Sequence, residues 1–464
     1  MVPAPLWTSA EIAAATGGTV SADFAVDGVA FDSRDVGTGD LFVALTGDST
    51  DGHRFLDQAF AQGAAGAIVS SATTQPHVLV ADTAAALDSL ARAARARTEA
   101  TVIGVTGSVG KTSAKEALWA ALDRGAPGAV HRSVKSYNNH VGVPLSLARM
   151  PRDSRYAVLE MGMNHAGELA ALTRLVRPHI AVVTAVTSAH IEFFADEAAI
   201  ADAKGEIFQG LEAGGAAIVP FDSVHRDRLI DAAQPYAARV VTFGRDGAAD
   251  VRALEVVRVP AGQFVTARIG ERELSFTLAQ PGAHWVSNAL AVLAAVDAAG
   301  GDLGMAGLAL AELNGMPGRG ERSFVAIGGQ AGGGPAGRAL VMDESYNANP
   351  LSMRATLAVL ADEPGRHLAV LGEMRELGAQ SEPLHVALAK PILAARVETI
   401  LLVGEAMAPL ASALERQVNV VHVPDAGAAI EALRGMLRPD DALLVKGSNG
   451  VGLSRVVAAL RGGL

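Results

Sequence analysis

The chain has 464 residues, a length at which one hydrophobic core is unusual and about three domains are expected. Its formal net charge of −11 argues against a nucleic-acid-binding protein, because such proteins need a basic surface. The chain contains no cysteine, which excludes disulfides, thiolate zinc sites and cysteine nucleophiles, so any metal is expected on oxygen or imidazole ligands, as suits Mg²⁺.

The N-terminal stretch and the most apolar segment argue against a secreted or membrane-spanning chain. Residues 1–7 lack the basic region and the long apolar core of a signal peptide. The apolar run 289–296 is interrupted by Asp297, which leaves it too short to cross a bilayer. The sequence therefore predicts a cytoplasmic protein without a membrane or nucleic-acid partner, and we expect it to be a monomer.

Residues 1–98 are predicted to form a first domain in which short strands alternate with alanine-rich helices. The segments predicted are strands at 25–29, 39–45, 64–69 and 78–80 and a helix at 51–62. Ser33 and Arg34 follow the first strand, where they could bind an anionic ligand. As a bare pattern, however, a surface Asp-Ser-Arg triplet is usually a turn.

A second domain, predicted at residues 99–317, opens with a phosphate-binding loop between a strand at 101–103 and a helix. The loop residues are Gly107, Ser108, Val109, Gly110, Lys111, Thr112 and Ser113. Glycines let backbone N–H groups approach phosphate oxygens, and the helix N-terminus adds positive partial charge. Lys111 is expected to reach the outer phosphates and the Thr112 hydroxyl to bind Mg²⁺. Val105 replaces the usual first glycine, so a plain glycine-rich turn is the alternative.

Polar side chains follow the next two predicted strands of this domain. Glu160 ends the strand at 156–159, and His190 follows the strand at 180–186. The carboxyl ends of parallel strands meet at one edge of a sheet, where ligands bind, so both side chains could hold a metal there. Glu160 could instead be a charge at a helix N-terminus, and His190 a hydrogen-bonded structural residue.

The rest of the second domain offers two further candidates. A helix predicted at 200–208 carries Lys204, which either projects toward the same edge or pairs with Asp202 or Glu206. Asn288 precedes a helix predicted at 289–299, either as a cap or packing residue or as a reader of an adenine edge. Between them, alternating segments at 255–259, 264–269 and 273–276 predict a small antiparallel set.

A third domain, predicted at residues 318–464, begins at a hinge around 317–322 and a glycine-rich loop at 328–337. Its strands are predicted at 339–342, 367–371, 399–403 and 442–445. Each strand ends in polar or glycine residues, which is typical of an open α/β sheet with a site along its carboxyl edge.

Several of these motifs occur in the order seen in the Mur ligase family, which the chain resembles along nearly its whole length. They are Asp32-Ser33-Arg34, Gly110-Lys111-Thr112-Ser113, Tyr137-Asn138-Asn139, Glu160-Met161-Gly162, Ala189-His190, Ala203-Lys204-Gly205-Glu206 and Ser345-Tyr346-Asn347-Ala348-Asn349-Pro350. The last block is the most specific and favours the members that add D-alanyl-D-alanine. The resemblance implies an N-terminal UDP-substrate-binding α/β domain, a central ATPase domain with a mostly parallel sheet, and a Rossmann-like C-terminal domain.

The resemblance also implies an ATP-dependent amide ligase of peptidoglycan precursor synthesis. ATP would phosphorylate the terminal carboxylate of UDP-N-acetylmuramoyl-tripeptide, and the amine of D-alanyl-D-alanine would displace the phosphate. Phosphorylation supplies the leaving group that a carboxylate lacks, so the protein has mainly to neutralise charge and align the groups. The implied cofactors are ATP and Mg²⁺, and the implied partners are these small-molecule substrates.

Motif by motif, the resemblance assigns residues to four roles. The catalytic set is Lys111, Glu160, His190 and Lys204. The metal ligands are Thr112, Glu160, His190 and Lys204, the last of which many members carry as a carbamate. The nucleotide set is the loop from Gly107 to Ser113 with Asn288, Arg319, Asp343 and Glu344. The substrate set is Ser33, Arg34, Asn138, Asn139, Tyr346, Asn347, Asn349 and Lys446.

Three positions depart from the family pattern. Glu344 stands where a second aspartate is common, and His284-Trp285 stands where a His-Asn pair is common. Asn449 stands where the pattern Lys-Gly-Ser has arginine next, so a cation expected near bound anions is missing.

Other classes of function are less compatible with the motifs. A GTPase switch would carry a guanine-reading Asn-Lys-x-Asp sequence, which the chain lacks. Folylpolyglutamate synthases and diaminopimelate-adding members are disfavoured by the block at 345–350 and by the N-terminal domain. A catalytically inactive relative is disfavoured because the reactive positions are retained.

Overall fold

The computed structural model describes residues 4–47, 50–327 and 337–463. Three main sheets, of five, nine and six strands, are each covered by helices. The predicted three-domain α/β fold with mostly parallel sheets is confirmed, whereas the boundaries after residues 98 and 317 remain predictions. The glycine-rich loop predicted at 328–337 lies outside the described residues, apart from Gly337.

The first sheet is small and mostly parallel, in the order β2-β7-β6-β5-β4 with β2 antiparallel. Its region comprises β1 (Trp7–Thr8), α1 (Ser9–Thr16), β2 (Thr19–Val20), β3 (Ala25–Val26), β4 (Gly28–Ala30), β5 (Asp40–Val43), α2 (Leu56–Ala61), β6 (Gly66–Val69), β7 (His77–Leu79) and α3 (Thr83–Ala96). Thr8 and Glu11 form a capping box at the start of α1, which ends at Gly17 in the left-handed conformation. These local signals explain why so short a helix forms.

The second sheet has nine strands in the order β16-β15-β14-β13-β12-β11-β8-β10-β9. Its elements are β8 (Thr101–Thr106), α4 (Lys111–Gly125), β9 (Val130–Arg132), α5 (Gly142–Ala148), β10 (Tyr156–Glu160), α6 (Glu168–Val176), β11 (Ile180–Val183), α7 (Glu197–Gly205), β12 (Ala216–Pro220), α8 (Arg226–Ala233), β13 (Arg239–Gly244), β14 (Val251–Val259), β15 (Gly262–Ile269), β16 (Arg272–Leu278), α9 (Ala283–Ala298) and α10 (Leu303–Ala311). The central strands are buried on both faces, which is why they read as continuous apolar runs.

The predicted antiparallel set exists, but it is not a separate unit. β14, β15 and β16 pair antiparallel with one another, and β14 also pairs in parallel with β13. The set therefore extends the large sheet at one edge.

Helix α9 lies in the core between the second sheet and helices α4 and α10. It is buried on nearly all sides because alanine, leucine and valine occupy almost every position from 289 to 296. It starts at Ala283, six residues earlier than predicted, so Asn288 lies within the helix and its interpretation as a cap is wrong. In the part of the chain that the structure describes, no helix is long and apolar enough to cross a membrane.

The third sheet follows the order β17-β18-β22-β19-β20-β21, and only β17 runs antiparallel to its neighbour. Its elements are β17 (Glu321–Ile327), β18 (Gly337–Glu344), α11 (Pro350–Ala361), β19 (His367–Gly372), α12 (Ser381–Val386), α13 (Ala389–Ala394), β20 (Val397–Val403), α14 (Ala408–Leu414), β21 (Asn419–Val423), α15 (Ala426–Leu433), β22 (Ala442–Lys446) and α16 (Ser454–Arg461). Separate apolar clusters fill its two faces.

A buried carboxylate joins the second and third sheets. Glu363 follows α11, and its side chain is 4% exposed. One oxygen accepts from Arg258 of β14 at 2.8 Å, and the other accepts from Arg322 of β17 at 2.6 Å. The carboxylate is therefore neutralised by one guanidinium from the second sheet and by one from the third.

The packing of α9 predicts a strong effect of truncating its core face. Leu290→Ala should lower the free energy of unfolding by about 2–5 kcal/mol, because it leaves a cavity around a fully buried side chain. Urea denaturation followed by circular dichroism measures the change. Leu308→Ala on α10 is the matched control, since Leu308 is 52% exposed and should change stability by less than about 0.5 kcal/mol. Equal effects of the two substitutions would contradict the assigned core.

Candidate active site

A cavity of about 590 Å³ is lined by residues of both the second and the third sheet regions. The second region contributes the phosphate loop from Ser108 to Ser113 together with Ser136, Asn138, Glu160, His190, His284, Trp285 and Asn288. The third region contributes Arg319, Glu344, Tyr346, Asn347, Asn349 and Lys446. The structure thus brings most of the predicted nucleotide, metal and acceptor residues to one place.

The phosphate loop is shaped by Gly110 and by a hydrogen bond to the segment that follows β11. Gly110 has a φ of 82°, and a Cβ there would lie 2.8 Å from Asn288 Oδ1, so glycine is required for conformation and for space. Thr184 Oγ1 donates to the Val109 carbonyl at 2.6 Å. No side chain caps the start of α4, so its first N–H groups remain available to an anion.

Lys111 lies at the beginning of α4, with its Nζ donating to the Gly107 carbonyl at 2.7 Å. Burial lowers the pKa of Lys111, Glu160 acts in the opposite sense, and Arg319 lowers it further. Thr112 is buried beside it, with its hydroxyl 3.4 Å from Ser136 Oγ. This group of donors suits a ligand with several negative charges, such as a triphosphate.

Glu160 carries an oxygen that fits a cation. The side chain is 1% exposed, and its Oε1 accepts from Asn138 Nδ2 at 2.8 Å. Its Oε2 is buried and has no hydrogen-bond partner among the described residues. An unsatisfied buried carboxylate oxygen is costly, and Mg²⁺ prefers such an oxygen together with a hydroxyl like that of Thr112.

The donor set near Glu160 is too small to hold a metal alone. Within residues 4–47, 50–327 and 337–463, no group of three or more histidine or acidic side chains is arranged to hold an ion. Mg²⁺ commonly takes one or two protein ligands and completes its shell with phosphate oxygens and water. The residues present therefore fit Mg²⁺ that arrives with a nucleotide.

Lys204 on α7 is 1% exposed and is not part of the cavity wall. Burial lowers its pKa far below the usual value, and the charge of Lys111 lowers it further. The alternative pairing predicted from sequence is wrong. Asp202 pairs with Arg228 at 2.8 Å, and Glu206 accepts backbone N–H groups at the start of α6.

His190 lies at the meeting point of the two regions. Its backbone is left-handed, with a φ of 60°, and its ring contacts the Glu376 carboxylate of the third region through Nδ1. That contact lowers the pKa of Glu376. Sequence reasoning missed Glu376, although the polar stretch 373–376 at the end of β19 was a signal for it.

The first turns of α9, which include Asn288, form one wall of the cavity. Asn288 lies against Gly110, and His284 and Trp285 line the same wall. Burial, aided by the charge of Lys446, lowers the pKa of His284 to about 4, so its ring is neutral near pH 7. This wall offers a neutral imidazole, an indole and an amide to a flat ring.

The third region presents two cations and one acid to the cavity. The Arg319 guanidinium lies 3.9 Å from the centre of the Tyr346 ring, in a cation–π contact. Lys446 Nζ donates to the Asn347 carbonyl at 2.9 Å and lies 3.6 Å from Glu344 Oε2. Burial raises the pKa of Glu344 and lowers that of Lys446, and the attraction between the two groups opposes both shifts.

Several predicted site residues make other contacts in the structure. Asp343 lies outside the cavity wall, and its oxygens accept from Gly318 N and from Ser345 Oγ. Asn349 caps α11 while also lining the cavity. Asp343 therefore shapes the turn at Gly318, and its assignment to the nucleotide stays a prediction.

Ser33, Arg34 and Asn139 also lie outside this cavity. Ser33 Oγ donates to Gln58 Oε1 at 3.1 Å, and exposed Arg34 pairs with Asp32 at 2.6 Å, which lowers the pKa of Asp32 to about 2. Asn139 Oδ1 accepts from Gly142 N at the start of α5. Their assignment to the UDP-linked substrate stays a prediction.

Comparison with family models matches most of the chain in three consecutive parts. The Mur ligase family catalytic domain matches residues 25–105, and the Mur ligase middle domain matches residues 105–296. The Mur ligase glutamate ligase domain matches residues 333–449.

Curated relatives align with nearly the whole chain. The UDP-N-acetylmuramoyl-tripeptide–D-alanyl-D-alanine ligase of Escherichia coli is 36% identical, over 95% of this chain and 95% of that protein. The ligase of the same name from Rickettsia prowazekii is 30% identical, over 97% of this chain and 99% of that protein.

Solved structures of similar proteins show the same fold. MurF from Acinetobacter baumannii superposes with a TM-score of 0.82 at 29% identity, covering 98% of this chain and 99% of that chain. MurF ligase from Thermotoga maritima in complex with ADP gives a TM-score of 0.76 at 26% identity, with coverages of 94% and 97%.

The geometry of the phosphate loop predicts the effect of removing its lysine. Lys111→Ala should weaken ATP binding by about 10- to 150-fold and abolish turnover, because a charge-assisted bond to the outer phosphates is lost. Titration calorimetry measures the binding, and circular dichroism should show an unchanged fold. Lys390→Ala, at an exposed position on α13, is the control. Unaltered binding and turnover in Lys111→Ala would remove the loop from the site.

Proposed function

The chain belongs to the Mur ligase family, and we propose that it joins D-alanyl-D-alanine to the terminal carboxylate of UDP-N-acetylmuramoyl-tripeptide. ATP is converted to ADP and phosphate, and the product is UDP-N-acetylmuramoyl-pentapeptide, a peptidoglycan precursor. Relatives of that name align over nearly the whole chain. The observation that carries the proposal is the shared cavity, in which the phosphate loop and the Tyr346–Asn349 segment line one space.

The proposed reaction has two steps, and the positive groups of the cavity suit both of them. The tripeptide carboxylate attacks the γ-phosphorus of ATP, which forms an acyl phosphate and releases ADP. The amine of D-alanyl-D-alanine then attacks the acyl carbon, forming the amide and expelling phosphate. Lys111, Arg319 and the N-terminus of α4 lie where positive charge would hold these negative groups together.

Bound Mg²⁺ would shield the negative oxygens of the nucleotide and the peptide acid from each other. Thr112 and Glu160 would hold it, since the first has a buried hydroxyl and the second has a buried oxygen without a partner. His190 is a further candidate from the family pattern. In the present arrangement its Nδ1 contacts Glu376, which leaves Nε2 as the ring atom for another partner.

We further propose that Lys204 is carbamylated. A neutral amine attacks CO₂ to give a carbamate and release a proton, and burial lowers the pKa of Lys204, which favours its neutral amine. The product is an anion, which the positive charge of Lys111 would attract. A carbamate oxygen would also add a metal ligand to the set.

The remaining site roles are proposals that follow the family pattern. Asn288, Arg319, Asp343 and Glu344 are assigned to the nucleotide, and Ser33, Arg34, Asn138 and Asn139 to the UDP-linked tripeptide. Tyr346, Asn347, Asn349 and Lys446 are assigned to the D-alanyl-D-alanine side. We also propose a monomer that acts in the cytoplasm, where ATP is available.

The proposed function predicts a strict dependence on both peptide substrates. Phosphate release from ATP should require UDP-N-acetylmuramoyl-tripeptide and D-alanyl-D-alanine together, because the acyl phosphate turns over only when an amine accepts it. A colorimetric phosphate assay across a substrate panel measures this dependence. Equal phosphate release with meso-diaminopimelate and the UDP-linked dipeptide would assign the chain to a different ligase.

Carbamylation predicts a carbon signal that depends on one side chain. Protein equilibrated with ¹³C-labelled bicarbonate should show a carbamate resonance by NMR, and Lys204→Met should abolish both this resonance and turnover. Lys390→Met, at an exposed lysine, should leave both intact. A Lys204→Met variant that keeps wild-type turnover would exclude any role for the modification.

A further inference from the structure

A second cavity, of about 310 Å³, opens beside the first. The two cavities share His190, Tyr346, Asn347 and Asn349, so they adjoin. The walls that belong to the second cavity alone come mainly from two turns, 375–377 after β19 and 448–450 after β22. Its volume is at the small end of the range for ligand pockets, about 300–1,000 Å³, and suits a compact ligand.

Arg375 is the cation of these two turns. Its backbone N–H donates to Ser448 Oγ at 2.9 Å, and its Nη2 donates to the Gly450 carbonyl at 3.1 Å. Gly450 permits this approach, because a Cβ there would collide with the guanidinium. Nη2 thus holds the Arg375 guanidinium against the 448–450 turn.

The rest of the Arg375 guanidinium is available to a ligand. Arg375 is exposed, and among the described residues its guanidinium donates to the Gly450 carbonyl alone and pairs with no carboxylate. The nearby Glu376 carboxylate contacts His190 instead. The cavity therefore contains one cation without an anionic partner in the described chain.

At the same turn, this chain lacks the cation that the family pattern has. Asn449 stands at the position that the pattern gives to arginine, and it is neutral. Both Asn449 and Arg375 line the second cavity. Because Arg375 bonds to the adjacent Gly450, it returns a positive charge to this turn from another strand end.

We propose that Arg375 binds the free carboxylate of the dipeptide acceptor, an inference that rests on the proposed function. The acceptor's amine must reach the first cavity, where the acyl phosphate forms, so its carboxylate must extend away from it. Arg375 belongs to the second cavity alone, whereas the amide side chains of Asn347 and Asn349 line both. A guanidinium fork can hold a carboxylate through two parallel hydrogen bonds. Arg375 thus selects acceptors that end in a free acid.

The test compares two acceptors that differ only at that end, D-alanyl-D-alanine and D-alanyl-D-alaninamide. Wild-type protein should prefer the acid by about 10- to 100-fold in kcat/KM, as expected for a charge-assisted bond. Arg375→Gln keeps a donor for the Gly450 carbonyl but removes the charge, and its preference should fall to about threefold or less. Arg375→Lys should restore part of the preference, and the KM for ATP should stay unchanged in both variants.

The preference is a ratio, so it does not depend on the fraction of active protein. Arg416→Gln, at an exposed site of the same region, should keep the full wild-type preference. An Arg375→Gln variant that loses activity equally on both acceptors, or one that raises the KM for ATP, would overturn the inference. A wild-type protein that uses neither acceptor would instead overturn the proposed function.

Discussion

The proposed chemistry depends on hydrogen bonds that tie the phosphate loop to the strand beside it. Thr184 donates to the Val109 carbonyl, and Ser108 Oγ donates to the Thr187 carbonyl at 3.0 Å. These bonds satisfy polar groups on the sheet side of the loop, so the N–H groups at the start of α4 remain on the cavity side. The segment that anchors the loop also leads directly to His190. One strand end therefore positions both the anion-binding backbone and the contact with the third domain.

The distribution of charge around the cavity follows from this arrangement. Burial disfavours protonation of Lys204, and the charge of Lys111 disfavours it further. Lys446 and Glu344 form a pair on the opposite wall. Glu160 accompanies Lys111 near the phosphate loop, and Arg319 accompanies the Lys446–Glu344 pair, so both parts of the cavity wall carry charges of both signs.

The sequence predicted the parts of the site that follow local rules. The loop from Gly107 to Ser113 and the position of Glu160 after a buried strand could be read from strand–turn–helix context. The attachment of β14 to β13 could not, because alternation predicts antiparallel pairing but not which strand an edge will join. The contact between His190 and Glu376 joins side chains 186 positions apart and depends on how the domains pack, so no local pattern carries it. The α9 boundary was missed because Gly282 starts that helix without a capping side chain.

Glu363 has a consequence for how the second and third domains can separate. Its two oxygens accept from Arg258 of the second domain and from Arg322 of β17, the last residue of the predicted hinge. If the domains part, the bond to Arg258 breaks, but Arg322 travels with the carboxylate and keeps it neutralised. If Glu363 lost its sole cationic partner, the uncompensated buried charge would strongly disfavour the separation. With two arginines, the pairing stabilises the joined arrangement, and the carboxylate still has one cationic partner after the domains separate.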